Sequence, residues 1–166
     1  MLRLHHHLGR AARRPAPLGG PVALAPVVKS LADITPHYIG DNRTVRLAVL
    51  SGPADGSGTT VVLEIWEPGG SQPDNSHEES TETFVVLRGT ARAHSDEHVA
   101  DLGPGDVIVL PATSVHHIVN SSVTERLYTL TVMENDGGFA DLILTGPEAF
   151  LDAADAAVLG TVLTAA

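Results

Sequence analysis

The sequence predicts an all-β domain of sandwich or barrel type, and two observations predict it. From Thr44 to Met133, short runs rich in Val, Ile, Leu and Thr are separated by clusters of Gly, Pro, Asn and Asp, the pattern of strands joined by tight turns. Over the same stretch the apolar residues do not recur at helical spacing. A chain of 166 residues is one ordinary domain, long enough to bury a core. No internal repeat is visible, so one barrel is expected rather than a duplicated pair.

In chain order, residues 1–29 are expected to form a flexible basic arm. They carry Arg3, Arg10, Arg13, Arg14 and Lys29, five of the ten basic residues, ahead of the first acid, Asp33. Pro15, Pro17, Gly19, Gly20 and Pro21 prevent a continuous helix there. The run His5-His6-His7 is read as an exposed tract without a role. The barrel is expected over residues 30–145. Its first strands are Val45–Leu50 and Thr60–Trp66, paired as a hairpin across the glycine-rich turn 52–58. Glu82–Leu87, Thr90–His94, His98–Leu102, Val107–Leu110, Val115–Val119 and Arg126–Met133 follow, with turn residues between them and antiparallel neighbours expected. Residues 146–166 are expected to pack a short helix on the barrel, with Thr145 as cap, Pro147 in the first turn and Glu148–Leu159 as its body.

Composition narrows the chemistry. There is no cysteine, so any metal must be held by nitrogen and oxygen. The formal net charge of -10 opposes binding to nucleic acid, which needs clustered Lys and Arg. No stretch approaches the roughly 18 apolar residues of a membrane span. Arg13-Arg14 is followed by prolines rather than the apolar run of an export signal, and a cytoplasmic location is expected.

Two spaced clusters carry the functional reading. In the first, Gly69, Asn75, His77, Glu82 and Gly89 stand around a turn that enters a strand. In the second, Gly105, Pro111, Thr113, His116 and Asn120 span the next turn and strand. In spacing and order these resemble the two motifs of the cupin superfamily, G-x5-H-x-H-x4-E-x6-G and G-x5-P-x-G-x2-H-x3-N. Asn75 stands where the first histidine of the family is found, and Thr113 replaces the internal glycine of the second motif. The resemblance covers roughly Thr60 to Met133 and implies a cupin jelly-roll barrel, a double-stranded β-helix, with one metal ion inside it. The family's ligand positions fall on His77, Glu82 and His116, with Asn75 beside them.

Strand parity agrees with that carry-over. Side chains alternate faces along a strand, so Glu82, Phe84 and Val86 share one side, as do His116, Ile118 and Asn120, while His117 points away. A carboxylate buried beside two imidazoles is costly unless a cation resolves the cost. Two histidines and one carboxylate with open positions suit Fe2+ best, and Zn2+, Mn2+, Ni2+ or Cu2+ also accept such ligands. The amide oxygen of Asn75 either coordinates weakly or hydrogen-bonds a metal-bound water. His94, His98 and His117 read as surface residues, and Trp66, Phe84, Tyr128 and Met133 as core. Arg88 and Arg92 read as surface ion-pair formers.

The function expected is a metal-dependent enzyme acting on a small oxygen-rich substrate, an enol, catechol-like or keto-acid compound. Iron or copper suits a dioxygenase-type oxidoreductase; zinc or nickel suits an isomerase or cyclase. Glu82 is the expected catalytic base. The alternative is a non-catalytic module that binds a small molecule. A homodimer is expected because an open jelly roll leaves strand edges to cover.

Overall fold

The structure is a computed structural model and describes residues 25–160. The histidine run and most of the basic arm lie outside the described residues. Lys29, assigned to the arm, is held by Asp55 at 2.6 Å.

Among the described residues the strands are β1 (His37–Ile39), β2 (Val45–Ser51), β3 (Thr59–Trp66), β4 (Glu82–Arg88), β5 (Ala91–Ser95), β6 (His98–Leu102), β7 (Val107–Leu110), β8 (His116–Asn120) and β9 (Leu127–Glu134). They form a six-stranded sheet in the order β1-β2-β3-β9-β4-β7 and a three-stranded sheet in the order β6-β5-β8. All the pairings are antiparallel, including the β2–β3 hairpin. Every strand expected from the sequence is present to within one residue at each end.

The core lies between the sheets. Val45, Leu47, Val62, Trp66, Phe84, Val86, Ala93, Ile118 and Leu127 form one buried cluster contributed by both. A buried aliphatic or phenyl side chain of this kind stabilises by about 1.5–3 kcal/mol, so this cluster supplies the main drive to close the barrel. Gly89 lets β4 turn into β5: its φ is +89°, and a Cβ there would stand 2.7 Å from the Arg126 carbonyl oxygen.

Three elements depart from expectation. β1 was not anticipated, because three residues between Pro36 and Gly40 are too short to show alternation. It pairs with β2, and its other edge is met by the segment after Gly146: Tyr38 N donates to Pro147 O, and Ala149 N to Pro36 O. That pairing corrects the C-terminal helix. Pro147 and Glu148 are extended, Glu148 bridging to His37, and the helix α2 runs only over Ala153–Leu159. Asp152 caps it and exchanges backbone bonds with Asp155 as a capping box. Thr145 instead ends a second short helix, α1 (Phe139–Leu144), entered through Gly138 at φ +72°.

The outer face of the larger sheet is closed by α2. Arg46, 3% exposed, donates to both carboxylate oxygens of Asp155 at 2.6 and 3.2 Å. Arg126 and the Tyr128 hydroxyl reach the same carboxylate at 3.0 Å each.

Candidate metal centre

β4 begins at Glu82 and β8 at His116, and both first residues face inward by the alternation that buries Phe84, Val86, Ile118 and Asn120. His77 comes from the loop ahead of β4. Its carbonyl accepts from Thr113 N at 2.7 Å, so the two motif loops hold each other. Thr113 occupies the family's glycine position at φ +70°, a left-handed conformation that a β-branched residue enters only under strain.

His116 Nε2 lies 2.9 Å from Glu82 Oε2, and His77 Nε2 lies 3.5 Å from the same oxygen. One ligand atom from each of the three residues falls within 4.8 Å of the others. His116 Nδ1 faces the Ser114 carbonyl at 3.0 Å. A carbonyl only accepts, so Nδ1 carries a proton toward it, and Nε2, which faces Glu82, is the nitrogen that would turn its lone pair to a cation once the ion replaced the proton shared with Glu82. Both imidazoles meet Oε2, which leaves Oε1 of Glu82 clear of them.

The electrostatics match this arrangement. Burial is the largest influence on Glu82 and opposes its ionisation. The hydrogen bonds and charges of His116 and His77 together outweigh it, and the carboxyl is held below its ordinary value. His77 is shifted up by its hydrogen bond to Glu82 against the opposing effect of burial, with added help from the charges of Glu82 and Asp136. An ionised carboxylate facing two imidazoles is a set of nitrogen and oxygen donors suited to a first-row divalent ion.

The cluster opens on a cavity of about 300 Å³ whose walls include Ile39, Leu47, Asn75, Phe139 and Leu142. Phe139, from α1, stands edge-on to His77 with ring centroids 5.5 Å apart. Asn75 sits on the same wall and is bridged to His116 through backbone bonds. Its amide nitrogen donates to the Pro73 and His116 carbonyls, so Oδ1 is the one Asn75 side-chain atom left to reach toward a cation. A larger groove of about 540 Å³ lies outside the barrel beside α2. Of its charged lining residues, Arg126 is paired with Glu67 and Asp152.

His117 points to the opposite face, 2.6 Å from Asp74 and stacked on His94. Arg92 pairs with Asp101 on the surface. Trp66, Phe84, Tyr128 and Met133 are buried, each 2% exposed or less. Sequence reasoning missed Glu64. It is 1% exposed, lies on β3 and lines the same cavity. Burial above all, and the charge of Glu82, push its carboxyl well above the ordinary carboxylate range. The available signal was its position: a lone acid in an apolar strand, on the inward parity of Val62 and Trp66.

Comparison with known proteins agrees with the barrel and the motifs. Residues 62–133 match the family model described as a cupin domain. A predicted oxalate decarboxylase from Thermotoga maritima is similar at 27% identity, over 65% of this chain and 97% of its own, with a TM-score of 0.56. A Cupin 2 conserved barrel domain protein from Salinispora arenicola shares the fold at 24% identity, over 66% of this chain and 88% of its own, with a TM-score of 0.51. An RmlC-like cupin from Shewanella frigidimarina shares it at 15% identity, over 61% and 84%, with a TM-score of 0.53. No curated protein matches the sequence. Residues 62–133 thus carry both motif clusters and match the cupin domain model, and the barrel around them has the cupin fold.

Proposed function

We propose that this cupin-fold protein is a metal-dependent enzyme that takes a small, oxygen-rich organic substrate into the barrel. One observation carries the reading: three ligand atoms from His77, Glu82 and His116 lie within 4.8 Å of one another at the wall of a 300 Å³ cavity. A structural site closes its coordination sphere with protein ligands, whereas three protein ligands beside an open cavity leave positions for substrate.

His77, Glu82 and His116 would hold the ion, with Asn75 Oδ1 next to them. When bound, it would supply Lewis acidity and, in the case of Fe2+ or Cu2+, one-electron chemistry toward dioxygen. The chain's own groups supply the rest. Glu82 Oε1 is placed to accept a proton from a hydroxyl of the substrate. Phe139 and Leu142 line the cavity and would pack against the apolar part of the substrate. We favour Fe2+ and a dioxygenase-type reaction, with isomerase or cyclase chemistry the counterpart for zinc or nickel. The non-catalytic alternative is a module that binds its ligand through the same ion.

The test is metal analysis of the purified protein, then oxygen uptake and product analysis with the Fe2+-loaded and Zn2+-loaded protein against catechols, flavonoid-like compounds and cyclic enols. Turnover abolished by Glu82→Ala supports the enzyme. Metal retained with tight ligand binding and no turnover across the panel supports the module. Val107 and Val109 on the edge strand β7 are each 57% exposed, which supports a homodimer through that edge. Size-exclusion chromatography reading a monomer contradicts it.

A further inference from the structure

We propose that Glu64 is the residue that grips the substrate inside the barrel, and that the cavity selects an uncharged enol or catechol-like compound over phosphate esters and dicarboxylates. This rests on the metal-site reading above and narrows its substrate class.

The first observation is position. Glu64 sits on β3, across β9 from β4, with its side chain inside the barrel and on the cavity that holds His77 and Glu82. Its neighbours of the same parity, Thr60, Val62 and Trp66, are fully buried. Core packing alone therefore gives no reason for a carboxyl here, and an apolar residue of the same size would be cheaper by the whole cost of removing the group from water.

The second observation is how little the protein offers it. Among the described residues it is met by two hydroxyls, that of Thr129 at a long 3.4 Å and that of Thr131. The Thr129 hydroxyl accepts the Trp66 indole N–H at 3.0 Å, so its own hydrogen is the one turned to Glu64. No lysine or arginine stands with the carboxyl. A buried carboxyl met by two hydroxyls and no cation has capacity left for a ligand: as a neutral acid it donates to a carbonyl or phenol oxygen, and as a carboxylate it accepts from a hydroxyl.

The third observation is the charge of the cavity as a whole. Its lining includes Glu64, Glu82 and Asp136, and no lysine or arginine is present among the described lining residues. Recognition of phosphate or of a second carboxylate needs a guanidinium, an ammonium or a cluster of backbone N–H groups, and a divalent ion alone grips only one end of a dianion. The remaining walls, Ile39, Leu47, Phe139 and Leu142, favour an apolar body. A ring carrying vicinal oxygens satisfies all three: one oxygen at the ion, its neighbour at Glu64, and the hydrocarbon against α1.

Trp66 is the sole tryptophan of the chain and is linked to Glu64 through Thr129, so its fluorescence, excited at the red edge of its absorption, reports on the grip. Titrating the Zn2+-loaded protein with catechol, oxalate and glycerol phosphate, we expect catechol to bind at least about tenfold more tightly than either anion. Glu64→Gln and Glu64→Leu should weaken catechol by about tenfold or more while zinc content stays that of the wild type and the melting temperature does not fall. Oxalate or glycerol phosphate binding as tightly as catechol overturns the proposal, as does unchanged catechol affinity in both variants. Should the wild type take up no metal, the metal-site reading fails by itself. The same titration of the metal-free protein with phenol then decides on Glu64: a loss of affinity in both variants supports it, and equal affinity in all three proteins refutes it.

Discussion

The molecule buries carboxylates in two places, on the two faces of one sheet, and treats them differently. Outside, Asp155 is 0% exposed and each of its oxygens is met from the protein: Oδ2 by Arg46 and the Asp152 backbone, Oδ1 by Arg46, Arg126 and Tyr128. Inside, Glu82 and Glu64 are nearly as deeply buried, yet among the described residues two imidazoles and two hydroxyls face them, and no lysine or arginine. A buried charge that is completed by the chain is a fastening. One left short of positive charge is a request for a ligand, and on the proposed function the missing charge is that of a divalent cation.

The largest expected effect falls on the outer cluster. Asp155→Ala leaves the buried Arg46 guanidinium with the partly exposed Glu67 as its one carboxylate among the described residues and removes a partner of Arg126 and Tyr128 as well, and about 3–5 kcal/mol of stability should be lost in urea denaturation, with or without added metal. A loss below 1 kcal/mol would show that α2 is not fastened in this way.

The inner cluster should respond to metal instead. Zn2+ at about a hundred times its Kd should stabilise the protein by about 2.7 kcal/mol, and Glu82→Ala or His116→Ala should abolish that increment while the outer network is untouched. An equal increment in those variants would place the ion elsewhere on the chain.

The pH dependence of the metal-free protein sharpens the contrast. His77 is shifted up, so the stability it contributes is complete below its ordinary value of 6.5 and is lost as pH rises through its folded value. Glu64, also shifted up, adds to the same loss, because its unfolded form ionises freely while its folded form resists. Glu82 is shifted down, and its contribution is complete above its ordinary value of 4.5 and lost as pH falls through its folded value. Metal-free protein should therefore be most stable in mildly acidic solution and weaken toward pH 8. Metal-loaded protein should show the opposite trend, since the ion displaces protons. Thermal melts across that range check it, and a metal-free protein that strengthens from pH 6 to 8 contradicts it.

The smallest effect lies where the two motif loops meet. Thr113→Gly relieves a left-handed threonine, and a gain of about 0.5–1 kcal/mol is expected. A loss instead would mean that the Thr113 side chain contributes more than its backbone costs.

Most of the fold could be read from the residues, because strand parity and turn chemistry are both local: Glu82-Thr83-Phe84-Val85-Val86 alternates buried and half-buried as its sequence requires. His77, Glu82 and His116 could be read because a spaced motif encodes a three-dimensional meeting point that parity alone leaves open. The elements that escaped depend on distant partners. β1 exists as a strand because β2 and residues 147–149 both pair with it, and that second pairing displaced the start of the C-terminal helix. Glu64 escaped for a different reason: one acid in the run Val61-Val62-Leu63-Glu64-Ile65-Trp66 looks like an ordinary strand residue until its face is known to be the inside of a cavity.

The most direct measurement is anomalous scattering from crystals grown with a single divalent metal, recorded on either side of its absorption edge. One peak bounded by the His77 and His116 imidazoles and the Glu82 carboxylate is the expected result, and it should vanish in His116→Ala. A wild-type crystal with no anomalous peak at those three side chains, from protein saturated with the metal, contradicts a cation site in this barrel.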